Sequence, residues 1–364
     1  MLRQQAMTND VTTTLNHSCH SNWRREEAVG QWGSFYKIYI SNILVGLSSQ
    51  YWFVPELTHY SPYDGGMYEV IHIHFSASAI YSVLMLYRRA EMFIEACKII
   101  TNVDKVLNRR HLNTSLALIR KIAYIPFITP MCFTVFIYRM LQNDAILSNF
   151  WLSLFSEYQC FVIPLAVHGY SLYYFCVFGH IIHHRLKVVN EYLKEIKLED
   201  NLKIIEQEIV TFSKVHSDLC KTWEIIANIF GWPVTSLHLF TYMLITCFAL
   251  RQLAIAFQTL EFEVFLYPIL TSILVFWSIL VGELIQNEAV NTGPALSELL
   301  EVKKFQNSNI ISMVKTFHLQ LLHRNFSIVL CGFFSLSIEH FGGALKSITN
   351  LIMFIIQMKG SRSQ

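Results

Sequence analysis

The chain has 364 residues, of which 53% are hydrophobic and only 15% are charged. Soluble domains contain about 45 to 50% apolar and about 25% charged residues, so this composition is typical of a membrane protein. The formal net charge of +2 is too small to suggest a nucleic-acid partner. Apolar runs recur along the whole sequence, which favours one polytopic domain over several soluble ones.

Seven segments contain the roughly 20 mostly apolar residues that a membrane-spanning helix needs. They cover approximately residues 35–55, 70–87, 122–141, 150–179, 229–257, 264–285 and a final stretch that begins near residue 326. The sequence therefore predicts an all-α polytopic membrane protein. A tail over residues 1–34 precedes a seven-helix domain over residues 35–358.

Lys and Arg residues are distributed unequally among the connections, and this bias predicts orientation. They are frequent in the amino-terminal tail and in the connections after spans two, four and six. The other connections, residues 56–69, 143–149 and 258–263, contain neither. We therefore predict a cytoplasmic amino terminus and an extracellular carboxyl terminus. This orientation is opposite to that of a G-protein-coupled receptor, so no G protein is required.

Two segments outside the spans repeat apolar residues every three to four positions, which is typical of amphipathic helices. They cover about residues 183–229 and 295–330. The fourth and fifth spans are thus predicted to extend well below the membrane. Their apolar faces must be buried, either in a bundle within one subunit or in an interface between subunits, and the pattern does not distinguish these alternatives.

The last apolar stretch carries an unusual polar residue, Gln357. A polar side chain at membrane depth is costly and usually faces protein or water. Asn350, Phe354 and Gln357 are four and then three residues apart, so a helix over about residues 335–358 places them on one face. Several copies of this helix around an axis would line an ion path.

This stretch resembles the carboxyl-terminal signature of insect gustatory receptors, which odorant receptors share in part. The signature is a Cys-Gly-x-Phe lead, then Thr-Tyr, five apolar residues, Gln and Phe. Residues 331–334 match the lead, residues 352–356 supply the apolar positions, and Gln357 matches the Gln. Asn350, Leu351 and Met358 replace the Thr, Tyr and Phe. The chain is accordingly identified as a divergent member of the gustatory receptor family.

The resemblance implies a ligand-gated, non-selective cation channel in the plasma membrane of chemosensory neurons. It implies a homotetramer, or a heterotetramer with related subunits, in which each chain contributes its final helix to the pore and its cytoplasmic helices to a shared anchor. Phe354, Gln357 and Met358 are then pore or gate positions, with Asn350 as a further pore-face candidate. An apolar constriction among them would close the path to water.

The implied partners are cations, the lipid bilayer and a small external tastant. The tastant would enter among the outer halves of spans two to six, where eight aromatic residues and one acid occur: Phe75, Phe136, Tyr138, Trp151, Phe155, Glu157, Tyr158, Phe265 and Tyr267. Packing or a membrane-interface position accounts for most of the aromatic residues. For Glu157, an acid inside a span, a ligand contact and a hydrogen-bonded structural role are both open.

No enzyme activity, cofactor or metal site is predicted. The sequence lacks a Gly-rich phosphate loop, His-Glu-x-x-His and Gly-x-Ser-x-Gly. His180, His183 and His184 share a helical face, as zinc ligands can, but they end a span, where His commonly marks the membrane interface. Two other functions stay open. One is a secondary transporter, although seven spans do not divide into paired halves, and the other is a non-conducting auxiliary subunit.

Overall fold

The computed structural model describes residues 62–110, 112, 163–196, 202–254, 262–301, 308–324, 326, 328–332 and 334–362. The helices in these ranges are α1 Pro62–Arg88, α2 Ala90–Arg109, α3 Ile163–Glu195, α4 Leu202–Ala254, α5 Phe262–Glu301, α6 Ser308–His323 and α7 Ile338–Arg362. An antiparallel hairpin, β1 Val329–Leu330 and β2 Phe334–Ser335, precedes α7. The predicted helical architecture is confirmed for these residues. The predicted tail and the first and third spans lie outside them.

The helices α3, α4 and α5 are long and continuous, with 33, 53 and 40 residues. At a rise of about 1.5 Å per residue, each is longer than the roughly 30 Å hydrocarbon core of a bilayer. Within the described ranges, three segments are long and apolar enough to cross a membrane, namely Pro164–Glu195, Leu202–Thr246 and Thr271–Leu300. They overlap the predicted fourth, fifth and sixth spans.

The core follows the apolar stripes that the sequence contains. Leu186, Val189 and Leu193 of α3 are completely buried, at the three-to-four spacing of one helical face. The equivalent stripe on the first half of α4 is also buried: Ile205, Ile209, Phe212, Val215 and Leu219. These residues belong to a single hydrophobic cluster. A bundle within one chain therefore suffices to bury both stripes, and no second subunit is needed for that purpose.

Ion pairs join the ends of the helices that are rich in Lys and Arg. Arg185 of α3 binds Asp104 of α2 through two hydrogen bonds, of 2.6 and 2.8 Å. Three further ion pairs are made with α4. Glu95 of α2 pairs with Lys221, Arg110 after the end of α2 pairs with Glu208, and Arg324 after the end of α6 pairs with Glu224. The basic segments that the sequence assigns to one side of the membrane thus meet at one end of the bundle.

The final apolar stretch, which begins near residue 326, is not helical from its start, and its predicted helix over about residues 335–358 corresponds to α7. The segment over about residues 295–330, which we predict to be helical, contains the end of α5 at Glu301 and the whole of α6. The final span, predicted to begin near residue 326, begins instead at Ile338. The physical reason is a turn at Cys331 and Gly332, whose φ angles of 54° and 79° end the preceding strand.

Candidate ligand site and pore helix

Three helices meet at a cluster of buried aromatic rings. Phe75 of α1, a predicted ligand contact, is 1% exposed. Its ring stacks on Phe240 of α4, with centroids 3.8 Å apart, and lies 4.8 Å from the ring of His168 of α3. Stacked and tilted rings of this kind stabilise packing and also form the walls of sites for apolar ligands.

His168 is the polar group of this cluster, and it is completely buried. Neither ring nitrogen has a hydrogen-bond partner among the described residues. The backbone groups of Phe75 and Pro233 are close enough for weak, poorly aligned hydrogen bonds with the ring. A buried polar group without a hydrogen bond costs roughly 1 to 3 kcal/mol. His168 therefore lacks a well-aligned hydrogen bond among the described residues.

Hydroxyl groups connect the helices beside this cluster. Ser78 of α1 donates a hydrogen bond to the hydroxyl of Ser236 of α4. On the other side of α4, the Nε2 atom of His238 lies 2.8 Å from the hydroxyl of Ser278 of α5. All four side chains are buried. Polar contacts thus join α4 to α1 and to α5 beside the aromatic cluster.

Sequence reasoning identified Phe75 but missed His168, Ser236 and His238. Each lies within a predicted span, where the cost of intramembrane polar groups is the signal that would have found them. Of the other predicted ligand contacts, Phe136, Tyr138, Trp151, Phe155, Glu157 and Tyr158 lie outside the described residues. The backbones of Phe265 and Tyr267 belong to α5, but their side chains are not described.

The helix α7 contacts the bundle through the residues at its beginning. Leu336, two residues before the helix, is 2% exposed. The N–H of Ile338 donates a hydrogen bond of 2.9 Å to the Oε1 atom of Glu283 in α5. The ring of Phe341 lies 5.8 Å from that of Phe276 in α5. These contacts fix where α7 leaves the bundle.

The far part of α7 is exposed in the single chain. Asn350, Phe354 and Gln357 are all exposed, and Phe354 retains 58% of its surface. Glu339 and Lys346 are exposed as well. The side chain of Met358 is not described. A helix that exposes this much apolar surface needs lipid or another protein surface to cover it.

Two of the three histidines predicted to share a face of α3, His180 and His183, contact α5. His180 accepts a hydrogen bond of 3.2 Å from the indole of Trp277 in α5. His183 lies 3.9 Å from the carboxylate of Glu288, which also accepts a bond from Asn190. Within the part of the chain that the structure describes, no group of three or more His, Cys, Asp or Glu side chains is placed to hold a metal ion.

Comparisons with known proteins agree with this architecture. Among solved structures, the insect olfactory receptor OR5 from Machilis hrabei has a similar fold, with a TM-score of 0.54 over 88% of each chain and 11% sequence identity. No curated protein sequence matches. The sequence profile of the family described as 7tm chemosensory receptor matches residues 16–360. Since this match covers nearly the whole sequence, the chain belongs to the 7tm chemosensory receptor family.

Proposed function

We propose that this chain is a subunit of a tetrameric, ligand-gated, non-selective cation channel that a small external tastant opens. Its place would be the plasma membrane of chemosensory neurons, as a homotetramer or with related subunits. Family membership supports a chemosensory receptor. The observation that carries the channel proposal is α7, which is held at its beginning and exposes Asn350, Phe354 and Gln357 along one face.

Four copies of α7 around an axis would pack against one another and turn this face toward a central path for ions. Gln357 would then meet permeating ions, and the apolar ring of Phe354 one turn earlier would form the constriction that excludes water in the closed state. Met358 stays a further gate candidate. In this arrangement the chain crosses the membrane seven times with its amino terminus inside. The meeting of the basic helix ends supports that topology.

The tastant would bind near the aromatic cluster of Phe75, Phe240 and His168. Burial of the rings offers an apolar wall, and the unbonded nitrogens of His168 offer one polar contact. Small-molecule sites typically combine apolar walls with a few polar groups of this kind. The predicted contacts from the third span, the outer part of the fourth and the start of α5 would complete the pocket.

We expect Phe354→Ala and Gln357→Ala to change the permeability ratios of the channel by roughly twofold or more, because pore-lining groups set selectivity. Patch-clamp recording of cells that express the full chain, with a panel of sugars and bitter compounds, measures these ratios. Ile352→Ala, on the opposite side of α7, is the matched control and should leave the ratios unchanged. Unchanged permeability ratios in both pore-face variants would show that other residues line the pore. Coupled uptake of a solute without channel current would instead indicate a transporter. Current that appears only when a related subunit is expressed as well would indicate an auxiliary role.

Replacing His168 with Phe should weaken the response to the activator that the panel identifies by about tenfold, the effect of losing one hydrogen bond to a ligand. The apparent melting temperature should change little, because the substitution keeps an aromatic ring and removes a buried polar group without a well-aligned hydrogen bond. Concentration-response curves and thermal unfolding measure the two effects. His323→Phe, at an exposed position of α6, is the control. An unchanged response in His168→Phe would exclude a ligand contact at this residue.

A further inference from the structure

The beginning of α7 depends on a charged side chain from α5. Ile338 is the first residue of α7, and its N–H therefore has no acceptor within its own helix. Glu283 Oε1 accepts this N–H at 2.9 Å. The positive end of the helix dipole favours a carboxylate at this position. Glu283 thus makes a bond that α7 cannot make for itself.

Two further contacts lie beside the hydrogen bond between Glu283 and Ile338. Gly282 packs against the buried Leu336, and a Cβ atom on Gly282 would lie only 3.1 Å from Leu336 Cβ. The lack of a side chain at Gly282 is what allows the segment before α7 to approach α5. Phe341, one turn into α7, packs near Phe276. The ring of Phe341 also lies 6.3 Å from that of Tyr242 in α4, so the start of α7 is held by α5 together with α4.

The same helix also borders the candidate ligand site. Ser278, which bonds with His238 beside the aromatic cluster, is five residues from Glu283. Five residues of α-helix correspond to about 7.5 Å along its axis. A displacement of α5 at the cluster is therefore passed through one to two turns of continuous helix to the start of α7. Asn350 and Phe354, farther along α7, are exposed, so packing of these two side chains does not oppose a movement of α7 with α5.

We propose that Glu283 is a positioning residue for gating. By holding the N–H of Ile338, it makes the start of α7 move with α5, so that a shift of α5 at the ligand site changes the direction of the pore helix. The proposal rests on the proposed channel function. It assigns Glu283 no contact with ligand or ions.

Hydrogen exchange of the purified full-length protein, resolved to single amides, tests the attachment. In Glu283→Ala the amide of Ile338 should exchange about tenfold faster, as expected for loss of a charge-assisted bond. Glu283→Gln should show a smaller increase because its amide oxygen still accepts. Glu191→Gln is the control, because Glu191 is an exposed residue of α3 that pairs with Lys187. It should leave the exchange rate of the Ile338 amide unchanged. Unchanged exchange in Glu283→Ala would overturn the proposal.

Single-channel open probability tests the coupling, and it does not depend on how many channels reach the surface. At a saturating concentration of the activator found in the panel, Glu283→Ala should reduce open probability by about tenfold, corresponding to loss of about one such bond. Glu283→Gln should partly rescue it. Gly282→Ala, which disturbs Leu336 and keeps the carboxylate, should reduce it as well. Faster exchange with unchanged open probability would overturn the coupling role. A wild-type chain without current would contradict the channel function instead, and exchange would still decide whether Glu283 holds α7.

Discussion

Replacing Asp104 with alanine is expected to lower the free energy of unfolding by about 3 kcal/mol, because it leaves a buried guanidinium unpaired. Arg185 is only 2% exposed and binds Asp104 through its Nε and Nη2 atoms. Its Nη1 atom donates to the carbonyl of Ile181 in any case. The Asp104 side chain is 28% exposed, so water reaches the pair and the expected loss lies at the lower end for buried pairs.

Thermal unfolding of the full-length protein in micelles, compared at one heating rate, measures this loss as a fall in apparent melting temperature. Glu95→Ala is the matched control, since Glu95 also lies on α2 and pairs with a base, Lys221, but both side chains are about half exposed. Its loss should be much smaller than that of Asp104→Ala, because solvent screens an exposed pair. The double variant Asp104→Leu with Arg185→Met should recover much of the stability, because it removes the buried charge. Equal losses in the two alanine variants would contradict the prediction.

Gly179→Ala should destabilise the contact between α3 and α5 by about 2 kcal/mol, because a side chain there overfills the interface. A Cβ atom at this position would overlap the Cγ1 methyl of Val281 and lie 3.3 Å from Ile285 Cδ1. Both neighbours are buried, at 1% and 3% exposure, so neither can move into solvent. The branched side chain of Val281 also has restricted rotamers, which makes an adjustment within the core costly.

The control for this substitution lies on the same helix. At Gly169 no described heavy atom lies within 4 Å of an added Cβ. Gly169→Ala should therefore be neutral or stabilising by up to about 1 kcal/mol, the difference in helix propensity. Adding Val281→Ala to Gly179→Ala should restore part of the lost stability by making room. Similar melting temperatures for the two glycine variants would show that the close approach of α3 and α5 is wrong.

Much of the helical fold was predictable from the sequence because burial leaves a periodic pattern. The apolar stripe that includes Leu186, Val189 and Leu193 predicted both a helix and its buried face, and the structure buries all three. The final segment was harder, since its apolar run conceals a hairpin. The Gly332 turn is a local conformation that hydrophobicity does not report, although the Cys331-Gly332 pair is a signal for it.

The candidate site was predictable only in part. Phe75 was identified because aromatic residues suit a ligand pocket, but His168 was missed as one polar residue in an apolar span. Whether such a residue faces lipid, a neighbouring helix or a pocket depends on the rotation of its helix. That rotation is set by packing with three other helices and leaves no trace in the spacing of a single residue.

The sequence by itself determined the membrane character, the helical elements, their buried faces and the family resemblance, because composition and periodicity are local properties of the chain. The tertiary structure alone decided which distant residues meet. Asp104 pairs with Arg185 across 81 positions, and Glu283 reaches Ile338 across 55. Such pairs depend on the tilt and axial offset of packed helices, which arise from the shape of whole interfaces. The attachment of the final helix to α5 is therefore a property of the folded chain.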